Sequence, residues 1–76
     1  MKLLQFKDLG GYHFSFVFEE DRFPDTDLKP LISEKVGLAD LGTARIDEDW
    51  GCLEFKGGNI DIEPETLYRF CQQHVA

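Results

Sequence analysis

At 76 residues the chain has room for one small domain, spanning 1–76, and for no second core beside it. Fifteen acidic residues against eight lysines and arginines leave a formal charge of −7, a balance that disfavours direct binding to nucleic acid or to an anionic membrane surface. Hydrophobic residues at 42% and aromatics at 13% exclude a disordered acidic chain, and no apolar run approaches the about 20 residues that span a bilayer.

The first element is a short strand in which Leu4 and Phe6 alternate with Gln5 and Lys7. Gly10-Gly11 then supplies a turn, and from Tyr12 to Glu19 the alternation is clean. Tyr12, Phe14, Phe16 and Phe18 point one way; His13, Ser15, Val17 and Glu19 point the other. These two segments read as an N-terminal antiparallel hairpin. After a second turn at Glu20-Asp21 a return strand starts at Arg22-Phe23. Pro24 cannot donate to a ladder, so that return is an edge strand or extended coil.

Pro30 suits the first turn of a helix and Gly37 its C-terminal cap, with Leu31, Ile32, Glu34 and Lys35 between them. Leu38 to Leu41 add a turn before Gly42. Ala44 and Ile46 alternate as a strand, Asp47-Glu48-Asp49-Trp50-Gly51 turns, and Leu53 and Phe55 form the partner strand. Gly57-Gly58 is another turn, after which Ile60 and Ile62 make a last brief strand. Pro64 opens the clearest helix, with Glu65 in its first turn, where it complements the helix dipole. Leu67, Phe70, Cys71 and His74 or Val75 fall on one stripe. The expected fold class is α+β: a mostly antiparallel sheet of short strands covered on one face by the C-terminal helix. A chain this short buries only about 60% of its unfolded surface, so the seven Phe, two Tyr and one Trp carry most of the core, and self-association into a homo-oligomer would add stability.

No catalytic, cofactor-binding or metal-binding residue is assigned. Cys52, Cys71, His13 and His74 lack a paired cysteine knuckle, and only Cys71 and His74 share a helix face. Asp47, Glu48 and Asp49 start like a calcium loop. The glycine then arrives one position early, and Gly58 stands where a bidentate Glu is required. The cluster Glu19-Glu20-Asp21 with Asp25 and Asp27 reads as a solvated sheet edge. His13 has no nucleophile beside it in local sequence. Two cysteines are too few for a disulfide scaffold, and no signal-peptide core follows Met1, so the expected compartment is the cytoplasm.

Three segments carry a family resemblance: Phe18-Glu19-Glu20-Asp21, then Asp27-Leu28-Lys29-Pro30-Leu31-Ile32, then Asn59-Ile60-Asp61-Ile62-Glu63-Pro64-Glu65-Thr66-Leu67-Tyr68. Together they resemble the small bacterial proteins grouped as domain of unknown function 2442, whose members show Phe-Glu-Asp-Gly, Asp-Leu-x-Pro-Leu-Leu and Asp-Ile-x-Pro-Glu-x-Leu-Tyr in this order. Asp21 stands here in place of the hairpin glycine, Pro24 interrupts the strand after it, and the middle loop is short. The resemblance implies a compact α+β domain, free-standing or joined to a helix-turn-helix. Free-standing members are often encoded beside another small protein, as in toxin–antitoxin pairs. The family motif residues Asp61, Pro64, Glu65 and Leu67 read as structural: Pro64 starts the helix, Glu65 meets its dipole, Leu67 enters the core, and Asp61 with Glu63 can accept N–H bonds at the helix start.

The expected function is therefore a non-enzymatic interaction module of bacterial or phage origin, a regulator or antitoxin-like protein whose partner is encoded by a neighbouring gene. Two other classes stand beside it: a small enzyme or ligand-binding protein with an acidic cleft, and an acidic nucleic-acid mimic that inhibits a basic protein. The partner-binding residues expected are Trp50, in a turn where no core role is forced, and Tyr68, which lies off the helical stripe.

Overall fold

The chain runs β1 (Leu3–Gly10), β2 (His13–Phe18), β3 (Arg22–Asp27), α1 (Lys29–Ile32), β4 (Arg45–Ile46), β5 (Leu53–Phe55), β6 (Ile60–Ile62) and α2 (Pro64–Gln73), with 3-10 turns at Leu38–Thr43 and Lys56–Gly58. This is the order in a computed structural model, which describes residues 1–74. The fold is α+β, and every strand pairing is antiparallel. The strands divide into two sheets of three, ordered β1-β2-β3 and β4-β5-β6. The chain leaves the β3 edge through α1 and the 3-10 turn, and β4 comes back near β1 without pairing with it.

The aromatic alternation of β2 is realised as a buried face. Phe14, Phe16 and Phe18 are all at most 2% exposed. Phe14 packs against Phe16, and edge-on against Phe55 of the second sheet at 6.3 Å. At the other end of the face, the Tyr68 ring of α2 stands edge-on to Phe18 and Phe23, with centroids 5.2 and 5.6 Å away. The C-terminal helix therefore covers one end of the Phe face and the second sheet covers the other. Leu67 and Cys71 of α2 are buried, Phe70 is half-buried, and His74 is exposed, stacked on Phe70. Val75, the alternative end of that stripe, lies outside the described residues.

Three local details differ from the expected pattern. In β1, Leu3 pairs with Phe18 and Gln5 with Val17, so Leu4 is an extra residue in a bulge. Leu3 and Phe6 thereby share the inner side, and Leu4 faces solvent. The hairpin turn sits one residue later than Gly10-Gly11, on Gly11 and Tyr12, both at positive φ. A tyrosine at φ 73° is strained. It is held there by burial and by its hydroxyl, which donates to the Val36 carbonyl. The third detail is the start of α2: Glu63 occupies the N-cap, but its carboxylate makes no capping hydrogen bond, which corrects the expected role of that side chain. Pro64 stands in the first turn as anticipated, and Pro24 lies in a bulged stretch of the edge strand β3.

Thr26 is the one buried polar side chain whose oxygen finds no partner of good geometry among the described residues. It lies beside the Cys71 thiol, which burial pushes up in pKa and the Thr26 hydroxyl partly pulls back. Thr26→Val is expected to leave stability unchanged or to raise it by about 1 kcal/mol, measured by urea unfolding, because the buried hydroxyl has at best the weak thiol of Cys71 as a partner. Phe16→Ala is expected to cost about 3–5 kcal/mol in the same measurement, enough to unfold a domain of this size.

Candidate functional site

The solvent face of the second sheet is built from rungs. Arg45 pairs with Glu54 across β4 and β5, and Glu54 pairs with Asp61 of β6. The Arg45 guanidinium donates to Glu54, so this rung carries its own cation. Continuing the outward alternation one step past the strand ends reaches Asp47, Cys52 and Glu63, where the Asp47 N–H donates to the Cys52 carbonyl at 2.9 Å. No Lys or Arg side chain forms an ion pair with Asp47, Asp61, Glu63 or Glu65 among the described residues. These four carboxylates line a groove of about 490 Å³, together with Cys52, Trp50, Pro64 and Met1.

Cys52 registers the field of the groove. Its thiol is raised in pKa from the ordinary 9.0, first by burial and then by the charges of Asp61, Asp47, Glu63 and Glu54. The start of α2 contributes about half a positive charge to the same place.

Trp50 stands at the rim and is 73% exposed. The turn that carries it is tightly determined. The Asp47 carboxylate accepts the Asp49 N–H at 2.9 Å, and the Gly51 N–H donates to the Asp47 carbonyl at 2.7 Å. Gly51 has φ +72°, and a Cβ there would lie 2.6 Å from that of Lys2. This close approach lets the Leu3 N–H reach the Gly51 carbonyl, which ties β1 to the turn. The exposed indole is therefore held on a fixed platform.

The other expected partner residue lies elsewhere. Tyr68 is half-buried, and its hydroxyl donates to Asp21 Oδ2 at 2.8 Å. That bond raises its pKa, with burial and the charges of Asp21 and Glu20 acting in the same direction. It ties α2 to the β2–β3 turn and does not line the groove. Of the motif residues, Asp61, Pro64 and Glu65 join Trp50 at the groove, and Leu67 goes into the core. Asp47, Glu63 and Cys52 are site residues that the linear pattern did not single out. The available signal was their outward parity on three adjacent strands, which becomes informative once the register is known. No protein-family model matches the chain, and no curated protein or solved structure matches it.

A second charged cluster lies on the outer side of the first sheet. His13 Nδ1 and Asp25 Oδ1 are 2.8 Å apart, and Asp27 is paired with His13 in the ladder. The hydrogen bond to Asp25 raises the His13 pKa above 6.5, with the charges of Asp25 and Asp27 adding to it and burial opposing. A raised folded-state pKa makes the pair's contribution complete below about pH 6.5. That contribution disappears as pH rises through the folded-state value. NMR titration is expected to find His13 titrating above 6.5 in the native chain and moving down toward it in Asp25→Asn.

Proposed function

We propose that the chain is a non-enzymatic interaction module whose docking surface is the groove beside Trp50. The observation that carries this reading is a largely exposed indole on a tightly held turn at the rim of a concave surface. Leaving a tryptophan in water forgoes about 1.5–3 kcal/mol of burial, and tryptophans are enriched among residues that anchor partners. Preorganisation of the turn lowers the ordering cost of binding.

The resemblance to domain of unknown function 2442 adds the biological setting of the proposal: a bacterial or phage protein, cytoplasmic, acting as a regulator or antitoxin-like partner of a small protein encoded next to it. No helix of the described residues is long and apolar enough to cross a membrane. An enzyme using the same acidic cleft is a weaker reading. The thiol in the groove is kept protonated by its surroundings, opposite to what a cysteine nucleophile requires. His13 is held by Asp25 on the first sheet and does not line the groove.

Trp50→Ala is expected to change folding stability by no more than about 0.5 kcal/mol, since the side chain is largely solvated. Binding of the native partner is expected to weaken by about 2 kcal/mol or more, roughly thirtyfold. The check is co-purification of tagged wild type and Trp50→Ala from the native host, with thermal melts run in parallel. A variant that melts far below the wild type, or one that keeps the partner, overturns the assignment of Trp50.

A further inference from the structure

We propose that the occupant of the Trp50 groove is an arginine-bearing segment of a protein partner, its guanidinium stacked on the indole and its N–H groups directed at Asp47 and Glu63. This rests on the docking reading above and names the chemistry of what docks. Charge complementarity on a specific frame selects this occupant. Just past the ends of β4, β5 and β6, Asp47, Cys52 and Glu63 line the groove with no cation among them, whereas the last outward rung within the strands has Arg45 for its acids. An incoming cation would therefore meet carboxylates that the free chain leaves without an ion pair.

The N-terminal ammonium of Met1, which also borders the groove, lies 3.7 Å from Glu19. Among the described residues the groove acids thus have no ion pair of their own. The aromatic wall discriminates among cations. A guanidinium is planar, stacks on an indole face and presents forked donors that match carboxylates. A lysine ammonium meets the same acids as a point charge, without the stacking. A neutral apolar segment would leave the carboxylates desolvated and unpaired, at a cost.

Trp50 is the only tryptophan in the chain, so its emission reports the groove alone. The test titrates the full chain with a capped glycine peptide carrying three arginines. Two control peptides have the arginines replaced by lysine or by citrulline, the latter an uncharged isostere. The expected result is a saturable change in Trp50 emission with the arginine peptide, weaker binding of the lysine peptide and no saturation with citrulline. Affinity is expected to fall roughly tenfold in Asp47→Asn/Glu63→Gln, and to weaken further as salt is raised. Cysteine carbon labelling read by NMR adds an independent readout: the Cys52 titration moves down in pH as the arginine peptide saturates, and that of Cys71 does not.

An equal response to citrulline, no response to arginine, or unchanged affinity in the double variant overturns the cationic occupant. So does a concentration-dependent dimer that is lost in Trp50→Ala, because the groove would then be taken by a second copy of the chain. Failure here is distinguishable from failure of the docking reading. If the native partner is lost in Trp50→Ala yet retained in Asp47→Asn/Glu63→Gln, docking stands and the arginine assignment falls.

Discussion

Four aromatic residues of one segment need cover, and the chain has very little with which to provide it. Phe14, Phe16 and Phe18 project from one side of β2, with Tyr12 closing the row in the turn before it. Flanking strands pair with the edges of β2 but leave that face open. Cover comes from all the rest of the chain: Phe55 of the second sheet meets Phe14, Tyr68 of α2 meets Phe18 and Phe23, and Leu28, Ile32, Val36 and Leu41 of the α1 and 3-10 segment join the same core. Each aromatic contact removes aromatic surface from water and adds edge-to-face geometry worth about 0.5–1.5 kcal/mol beyond area. The second sheet thus packs its own apolar side against the Phe face and does not extend the first sheet sideways.

The second sheet is thereby committed on its inner side, with Leu53 and Phe55 fully buried and Ile62 nearly so. Period-two alternation then forces the intervening residues outward. The outward set is Arg45, Asp47, Cys52, Glu54, Asp61 and Glu63, which is mostly acidic. The acidic groove is the obverse of the hydrophobic core, and its location depends on the same register that packs Phe55 beneath Phe14. Trp50 enters by a separate route. The clamp between Gly51 and the Lys2–Leu3 backbone sets the turn against the start of β1, and the indole projects from it at the end of the acid rung.

The two acidic clusters of the molecule differ in how their charge is answered. On the first sheet, Asp25 has His13, Asp21 has the Tyr68 hydroxyl, and Glu19 lies near the N-terminal ammonium. These acids work within the fold. At the groove, Asp47, Asp61, Glu63 and Glu65 line a concave surface beside the Cys52 thiol and have no ion-pair partner among the described residues. Proteins tolerate local departures from favourable pairing chiefly where function uses them, and here the departure coincides with the exposed tryptophan.

The elements were legible in the sequence because local physics decides them. In-phase aromatics dictate the β2 strand, Pro24 keeps β3 out of a central position, and Pro64 with the Leu67–Cys71 spacing dictates where α2 begins and which side it buries. The sequence counted Trp50 among the core aromatics as well as among the partner-binding residues, and only the structure shows that it stays out of the core. The Leu4 bulge, the division into two sheets and the separate fates of Trp50 and Tyr68 were decided only in three dimensions. So was the gathering of Asp47, Cys52 and Glu63. Each depends on the register between segments distant in sequence, and a side chain's parity on its own strand says which way it faces without saying what faces it from the next strand.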